Sequence, residues 1–202
     1  MRQSQTTVAI WNMALARLGG EQLPSVEAPW ENDTLGVLCK NNYPAVLDEA
    51  LASYDWSFAT RREYLAEKTD ALPHSVYRFR YGLPADCLRP IAVDGGYGPI
   101  CHYEIEGIDL LTNAAPALLR YVARVEDARL YPPAFAEALA WGLAGIVATA
   151  NNDDPQTSQR CYQAYQVALA EAQARDRNSQ RPRPKPSAWL LARGGSYGRW
   201  HR

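Results

Sequence analysis

The chain has little of what catalytic and metal-binding sites require. It contains three histidines and four cysteines, with no C-x-x-C pair and no histidine at ligand spacing. Zinc sites need such spacing, so we expect reduced structural thiols, no metal site and no bound cofactor. No nucleophile motif accompanies His74 or His102, so we expect no catalytic residues and no enzymatic activity. The cysteines are Cys39, Cys87, Cys101 and Cys161.

Long apolar runs are also missing. The N-terminal residues carry no apolar segment of the kind found in secretory signals. The longest uncharged apolar stretch, residues 138–150, is shorter than the roughly 20 residues that a membrane-spanning helix needs. We therefore expect a soluble, cytosolic chain without membrane insertion.

Charge is divided unevenly along the chain, although the formal net charge is only -1. Residues 175–202 contain eight Lys and Arg and one acidic residue, whereas residues 1–174 contain 13 basic and 21 acidic residues. An acidic body with a basic end predicts that the C-terminal segment meets an acidic protein surface or a nucleic acid.

Helical periodicity occupies both ends of the body. Apolar residues recur at intervals of three and four from Val8 to Leu18, from Leu35 to Tyr54, from Phe135 to Ala150 and from Cys161 to Ala172. A threonine at 6 or 7 can cap the first helix, and Gly19 with Gly20 ends it. Four helices are predicted.

The middle of the chain changes to the two-residue period of strands. Tyr77, Phe79, Tyr81 and Leu83 alternate with polar residues or glycine, and residues 88–93, 101–105, 108–111 and 117–124 also read as strands. The connections are too short for parallel crossovers, so one antiparallel sheet of about four or five strands is expected. Glu104 and Glu106 share one strand face, and a solvated face is favoured over an acid–base pair.

These patterns predict an α+β fold. Residues 1–62 and 130–178 would form a four-helix bundle, and residues 63–129 an inserted, small antiparallel β-sheet domain. Residues 179–202 would form an extended basic tail, in which proline alternates with cations and favours an extended spacer.

The segment YDWSFATRR at 54–62 joins the helical and β regions. We interpret it as a structural junction in which Trp56 and Phe58 fix the angle between the two regions. Arg61 and Arg62 could contact phosphate, but a charge at a helix end or an inter-subunit salt bridge is favoured.

The tail is the candidate partner-binding segment. Large aromatic side chains in a segment that cannot form its own core are expected to be buried in a partner. Its cations, spaced by proline, could alternatively follow a phosphate backbone. The candidate contact residues are Arg181, Arg183, Lys185, Trp189, Leu190 and Trp200.

Six segments in order resemble the head-to-tail adaptor family of short-tailed bacteriophages, also called tail tubular protein A. Relatives often carry proline before the Trp-x-Phe element, where this chain has Asp55, and the tail after residue 178 lies outside the resemblance. The segments are AIWNMALARLG at 9–19, LPSV at 23–26, DWSFATRR at 55–62, YGLPADCLR at 81–89, YEIEGIDLLT at 103–112 and YPPAFAEALA at 131–140.

The resemblance implies a virion protein of the phage tail, assembled in the host cytoplasm. In this family a homo-oligomeric ring, usually of twelve copies, lies between the portal protein and the tail nozzle, tail tubular protein B. Double-stranded DNA passes through its lumen, and a tail fibre or spike is a further candidate partner. The alternative from the residues alone is a cytosolic nucleic-acid-binding or regulatory protein that acts through the basic tail.

Overall fold

The computed structural model describes residues 6–20, 23, 34–69, 76–95, 100–151 and 155–179. Within these residues the chain forms four α-helices, a short 3-10 helix at Ala128–Leu130 and seven strands. The α-helices are α1 (Thr7–Arg17), α2 (Thr34–Ala52), α3 (Pro133–Ala150) and α4 (Pro155–Ser179). The strands are β1 (Thr60–Tyr64), β2 (Phe79–Gly82), β3 (Cys87–Asp94), β4 (Ile100–Cys101), β5 (Tyr103–Glu106), β6 (Asp109–Thr112) and β7 (Leu118–Ala123).

Helix α3 is the centre of the helical region. Its apolar side chains, among them Phe135, Leu139, Leu143 and Val147, are fully buried. Helices α1, α2 and α4 all pack against α3. Because α3 is apolar on most of its circumference, it can be covered from several sides at once.

The predicted four-helix bundle is wrong, although the mixture of helices with antiparallel strands agrees with an α+β fold. Helix α4 packs mainly on α3, and the core around α3 also contains Val122 of β7 and Val125 and Tyr131 of the following connection. The sheet and its connection therefore occupy a side of α3 that a bundle would give to a helix. Helical periodicity shows that a face is buried but not which element covers it.

Two antiparallel sheets replace the single sheet that the sequence predicted. The first has the strand order β1-β7-β3-β4, and the second has the order β2-β6-β5. They share a second apolar core, in which Tyr81 and Leu110 of the second sheet join Val93, Leu119 and Tyr121 of the first.

Strand β7 separates the two cores. Leu119, Tyr121 and Ala123 point towards the second sheet, whereas Val122 joins the helical core. Arg120 lies on the same strand face as Val122, because side chains alternate along a strand. The first sheet therefore has one face towards the helices and one face towards the second sheet.

Two glycines in α3 offer a matched test of helix packing. A Cβ atom at Gly142 would lie 3.0 Å from Val46 Cγ1 and 3.2 Å from Tyr165, whereas one at Gly145 would meet its nearest neighbour at 3.6 Å. We expect Gly145→Ala to raise the free energy of unfolding by about 0.5–1 kcal/mol, since alanine favours helix more than glycine. Gly142→Ala should lower it by about 1 kcal/mol, because Val46 and Tyr165 are buried and must move. Urea unfolding measures both; equal effects would contradict the close approach of α2 and α4 to α3.

Asp109 provides a test of pH dependence. Lys68 Nζ lies 2.5 Å from one of its carboxylate oxygens, and Arg80 Nε donates to the other at 2.7 Å. These hydrogen bonds hold the pKa of the Asp109 carboxyl below its ordinary value. The stabilisation is therefore present above an unfolded pKa of about 3.9 and is lost as the pH falls through the lower folded value.

We expect Asp109→Asn to destabilise the protein at pH 7, and the difference from wild type to shrink as the pH falls below about 4. Urea unfolding at pH 7 and pH 3 gives the two differences. Glu67→Gln is the control, because Glu67 is exposed next to Lys68 in the chain and forms no ion pair among the described residues. A pH-independent Asp109→Asn effect would contradict the ion-pair account.

Candidate assembly interface

The predicted junction residues Trp56 and Phe58 lie in an aromatic cluster between α2, β1 and α3. Trp56 is fully buried, and its Nε1 donates to the carbonyl of Ala50 at 2.9 Å. The ring centroids of Trp56 and Phe58 lie 4.8 and 5.0 Å from that of Phe135. The chain leaving α2 is thereby held against the start of α3 before it enters β1.

Helix α4 is attached to the same junction through Asp176. The backbone N–H of Ser57 donates to Asp176 Oδ2 at 3.2 Å, and the Ser57 hydroxyl also donates to this carboxylate. Asp176 is 7% exposed, so its charge depends on such partners for solvation. Sequence reasoning did not identify Asp176, because one acid in a polar helix end carries no periodic signal.

Trp56→Ala tests the energetic weight of the junction. We expect a loss of about 3–5 kcal/mol in the free energy of unfolding, because a large aromatic is removed from a closed core. Guanidinium unfolding measures it. Tyr64→Ala is the control, because Tyr64 is 63% exposed, and its change should stay within about 0.5 kcal/mol. Similar losses in the two variants would contradict a central role for Trp56.

Arg61 faces the second sheet and takes part in a local polar network. Its Nη1 lies 2.5 Å from Asp86 Oδ2, and the Tyr121 hydroxyl donates to Asp86 Oδ1 at 3.1 Å. Burial, followed by the charge of Asp86, raises the pKa of Tyr121. Arg61 is therefore neutralised within its own chain.

Arg62 lies on the opposite strand face, in a group that we call the arginine cluster: Arg62, Arg89 and Arg120, of which the last two lie beside Asp55. Arg62 and Arg120 are directly opposite each other on β1 and β7. Arg89 forms an ion pair with Asp55, and its Nε donates to the Ala52 carbonyl at 2.9 Å. Arg120 Nη2 is 4.0 Å from Asp55 Oδ2. Sequence reasoning singled out Arg62 but not Arg89 or Arg120, whose closeness depends on strand register.

Helices α2, α3 and α4 also border an open apolar groove, which we call the α3–α4 groove. It encloses about 600 Å³. Ile146 and Tyr162 line it and are 37% and 60% exposed. Gly142, Gly145 and Tyr165 form part of its wall. Such an exposed apolar surface is typical of a protein contact.

The predicted partner-binding residues of the tail lie outside the described residues. They are Arg181, Arg183, Lys185, Trp189, Leu190 and Trp200. The last described residue, Ser179, borders a groove of about 810 Å³ whose lining includes Trp56, Ser57 and Leu130. The described part of α4 therefore ends beside the aromatic junction.

The described residues contain no group of three or more His, Cys, Asp or Glu that could hold a metal ion. The four cysteines form no disulfide, and Cys39 and Cys161 are buried. Burial, with a contribution from Asp86, raises the pKa of Cys87 to about 11. Cys87 is therefore a protonated thiol near neutral pH.

Helix α3 is the one described helix long and apolar enough, by length and composition, to cross a membrane. It extends beyond the predicted apolar stretch because it begins at Pro133. Half of it is buried, and the other three helices pack on it. A core helix of a soluble protein has the same properties, so this observation is weak evidence for a membrane span.

A scan of protein-family models finds no match to the chain, and a search of curated proteins finds no significant match. The resemblance to the phage adaptor family therefore stays a prediction.

Proposed function

We propose that the protein is a structural head-to-tail adaptor of a short-tailed bacteriophage. Copies would assemble into a ring between the portal protein and the tail nozzle, with twelve copies as is usual in that family. Double-stranded DNA would pass through the lumen. Tail fibre or spike would be a further partner, and the assembled protein would reside in the virion.

The observation that carries the proposal is the α3–α4 groove. Ile146 and Tyr162 expose apolar surface beside the close contact that Gly142 makes with α2. Burial of such surface in a partner contributes about 25 cal/mol per Å² before the costs of association. A groove on one copy that receives a different surface of the next gives a heterologous contact, and repetition of that contact can close a ring.

The second candidate function is nucleic-acid binding through the tail, and the charge division of the chain favours it. Eight Lys and Arg lie within residues 175–202. Such a protein would bind free DNA with an affinity that falls steeply as salt rises. The adaptor proposal instead assigns the tail to a protein partner, because Trp189 and Trp200 offer apolar surface that a phosphate backbone does not bury.

Tail variants of the full chain separate the two functions. We expect removal of residues 182–202 to abolish binding to the portal protein of the same phage. We expect Trp189→Ala with Trp200→Ala to weaken that binding at least tenfold, about 1.4 kcal/mol. Native mass spectrometry of adaptor–portal mixtures measures both effects.

The matched control replaces Arg181, Arg183 and Lys185 with glutamine, which should change portal binding much less than the tryptophan variant does. The reverse order, with salt-sensitive DNA binding lost in the glutamine variant, would favour the nucleic-acid function. Portal binding that survives removal of the tail would contradict its assigned role.

A further inference from the structure

Arg62 and Arg120 form a like-charge pair that the described chain neutralises only in part, through the 4.0 Å approach of Asp55 to Arg120. The two residues are directly opposite each other on neighbouring strands. Like charges in that position destabilise a sheet. Among the described residues, the buried Arg120 Nε has no hydrogen-bond partner and Arg62 has no ion pair. The pair can therefore accept a further anion.

The nearby carboxylates are already engaged. Asp55 pairs with Arg89 and lies 4.0 Å from Arg120. Asp48 and Glu126 both pair with Arg124, at 2.7 and 2.9 Å. Glu63 is opposite Leu119, on the strand face that points towards the second sheet. The helix side of the sheet therefore carries an excess of guanidinium groups.

We propose that the arginine cluster binds carboxylates of a second copy of this chain, supplied by Glu104 and Glu106 on β5. Arginines at opposite positions of neighbouring strands can both reach one carboxylate, and a guanidinium group can donate two parallel hydrogen bonds to its oxygens. Glu104 and Glu106 are exposed and have no ion pair within the described ranges.

The β5–β6 hairpin lies at the edge of its sheet and is accessible to a second copy. β5 is the outer strand of its sheet, and Gly107, with a φ of +62°, makes the turn. Ile105 and Ile108 are 38% and 75% exposed on the same hairpin. Ile105 lies on the strand face opposite the two glutamates, whereas Ile108 at the turn exposes apolar surface next to them. Apolar burial of Ile108 and ion pairing of the glutamates could therefore act in one contact.

A second copy is favoured over nucleic acid as the source of the anion. Asp48, Asp55 and Glu126 lie among the arginines and would repel a continuous phosphate backbone. A single glutamate side chain can approach between them. Residues 1–174 also contain 21 acidic residues against 13 basic ones, so another copy offers carboxylates in excess.

The contact would be heterologous, because donor and acceptor are different surfaces of one chain. The arginine cluster lies on the helix side of the first sheet, and the hairpin belongs to the second sheet on its other side. Repetition of such a contact gives a closed ring or an open filament. The contact deepens the adaptor proposal, and its closure into a ring rests on that proposal.

Charge reversal in the full chain tests the contact. One variant carries Arg62→Glu and Arg120→Glu, and the other carries Glu104→Arg and Glu106→Arg. Each variant alone should associate at least tenfold more weakly than the mixture, because identical copies place like charges together whereas mixed copies place opposite charges together. A variant with all four changes should associate with itself. Sedimentation velocity and native mass spectrometry measure the association, and circular dichroism verifies folding.

Arg78→Glu is the control, since Arg78 is exposed and lies outside the cluster. When Arg78→Glu is mixed with the Glu104→Arg, Glu106→Arg variant, association should not be restored. A second measurement mixes Arg62→Cys with Glu106→Cys chains under oxidation and should give a disulfide-linked dimer that neither chain gives alone. Absence of both mixed association and cross-linking, at the highest soluble concentration, would overturn the contact.

Three other outcomes separate the contact from a phosphate ligand and from the adaptor function. Salt-sensitive DNA binding that is lost in the Arg62→Glu, Arg120→Glu variant, without mixed association, would replace the second copy with a phosphate ligand. Mixed association without portal binding by wild type would keep the contact and reject the adaptor function. If both charge-reversal variants form rings on the portal as well as the wild type does, the adaptor function is kept and the contact is rejected.

Discussion

The fold depends on burial of Trp56 where α2 gives way to the first sheet. Its ring packs against Phe135 at the start of α3, and its Nε1 is satisfied by the carbonyl of Ala50. Ser57, the next residue, holds Asp176 near the end of α4. Three helices and a sheet are therefore connected through two consecutive residues. A change in this packing would alter the direction of β1 relative to α3, and with it the position of both sheets.

The packing around Trp56 and Ser57 explains how one chain can present several surfaces at fixed angles to one another. The α3–α4 groove is built on the helices, and the arginine cluster is built where α2 meets the first sheet. The β5–β6 hairpin belongs to the second sheet, which is attached through the core around Tyr121. Because packed cores resist small rearrangements, the angle between these surfaces is set by the fold rather than by a partner. A repeating assembly needs such a fixed angle.

The sequence predicted the local elements better than their arrangement. The two-residue period over residues 117–124 predicted β7, since side-chain alternation along a strand is a local property. The four-helix bundle was wrong because the periodicity of α3 does not reveal that Val122 and Tyr131 help to cover it. Arg89, Arg120 and Asp55 are brought together only by strand register, and no single segment signals their contact. The same is true of Asp176, which reaches Ser57 across 119 positions of chain.

The arginine cluster shows why an assembly surface can look like a defect in an isolated chain. Two opposed guanidinium groups cost stability in the monomer, and Asp55 offsets this only in part, because it already pairs with Arg89. An arriving carboxylate would gain more from Arg62 and Arg120 than from two arginines already paired with acids. The repulsion also disfavours contact with cationic surfaces, so the pair would add specificity as well as affinity. An arginine that is already neutralised within its own chain, as Arg61 is by Asp86, would add neither affinity nor specificity.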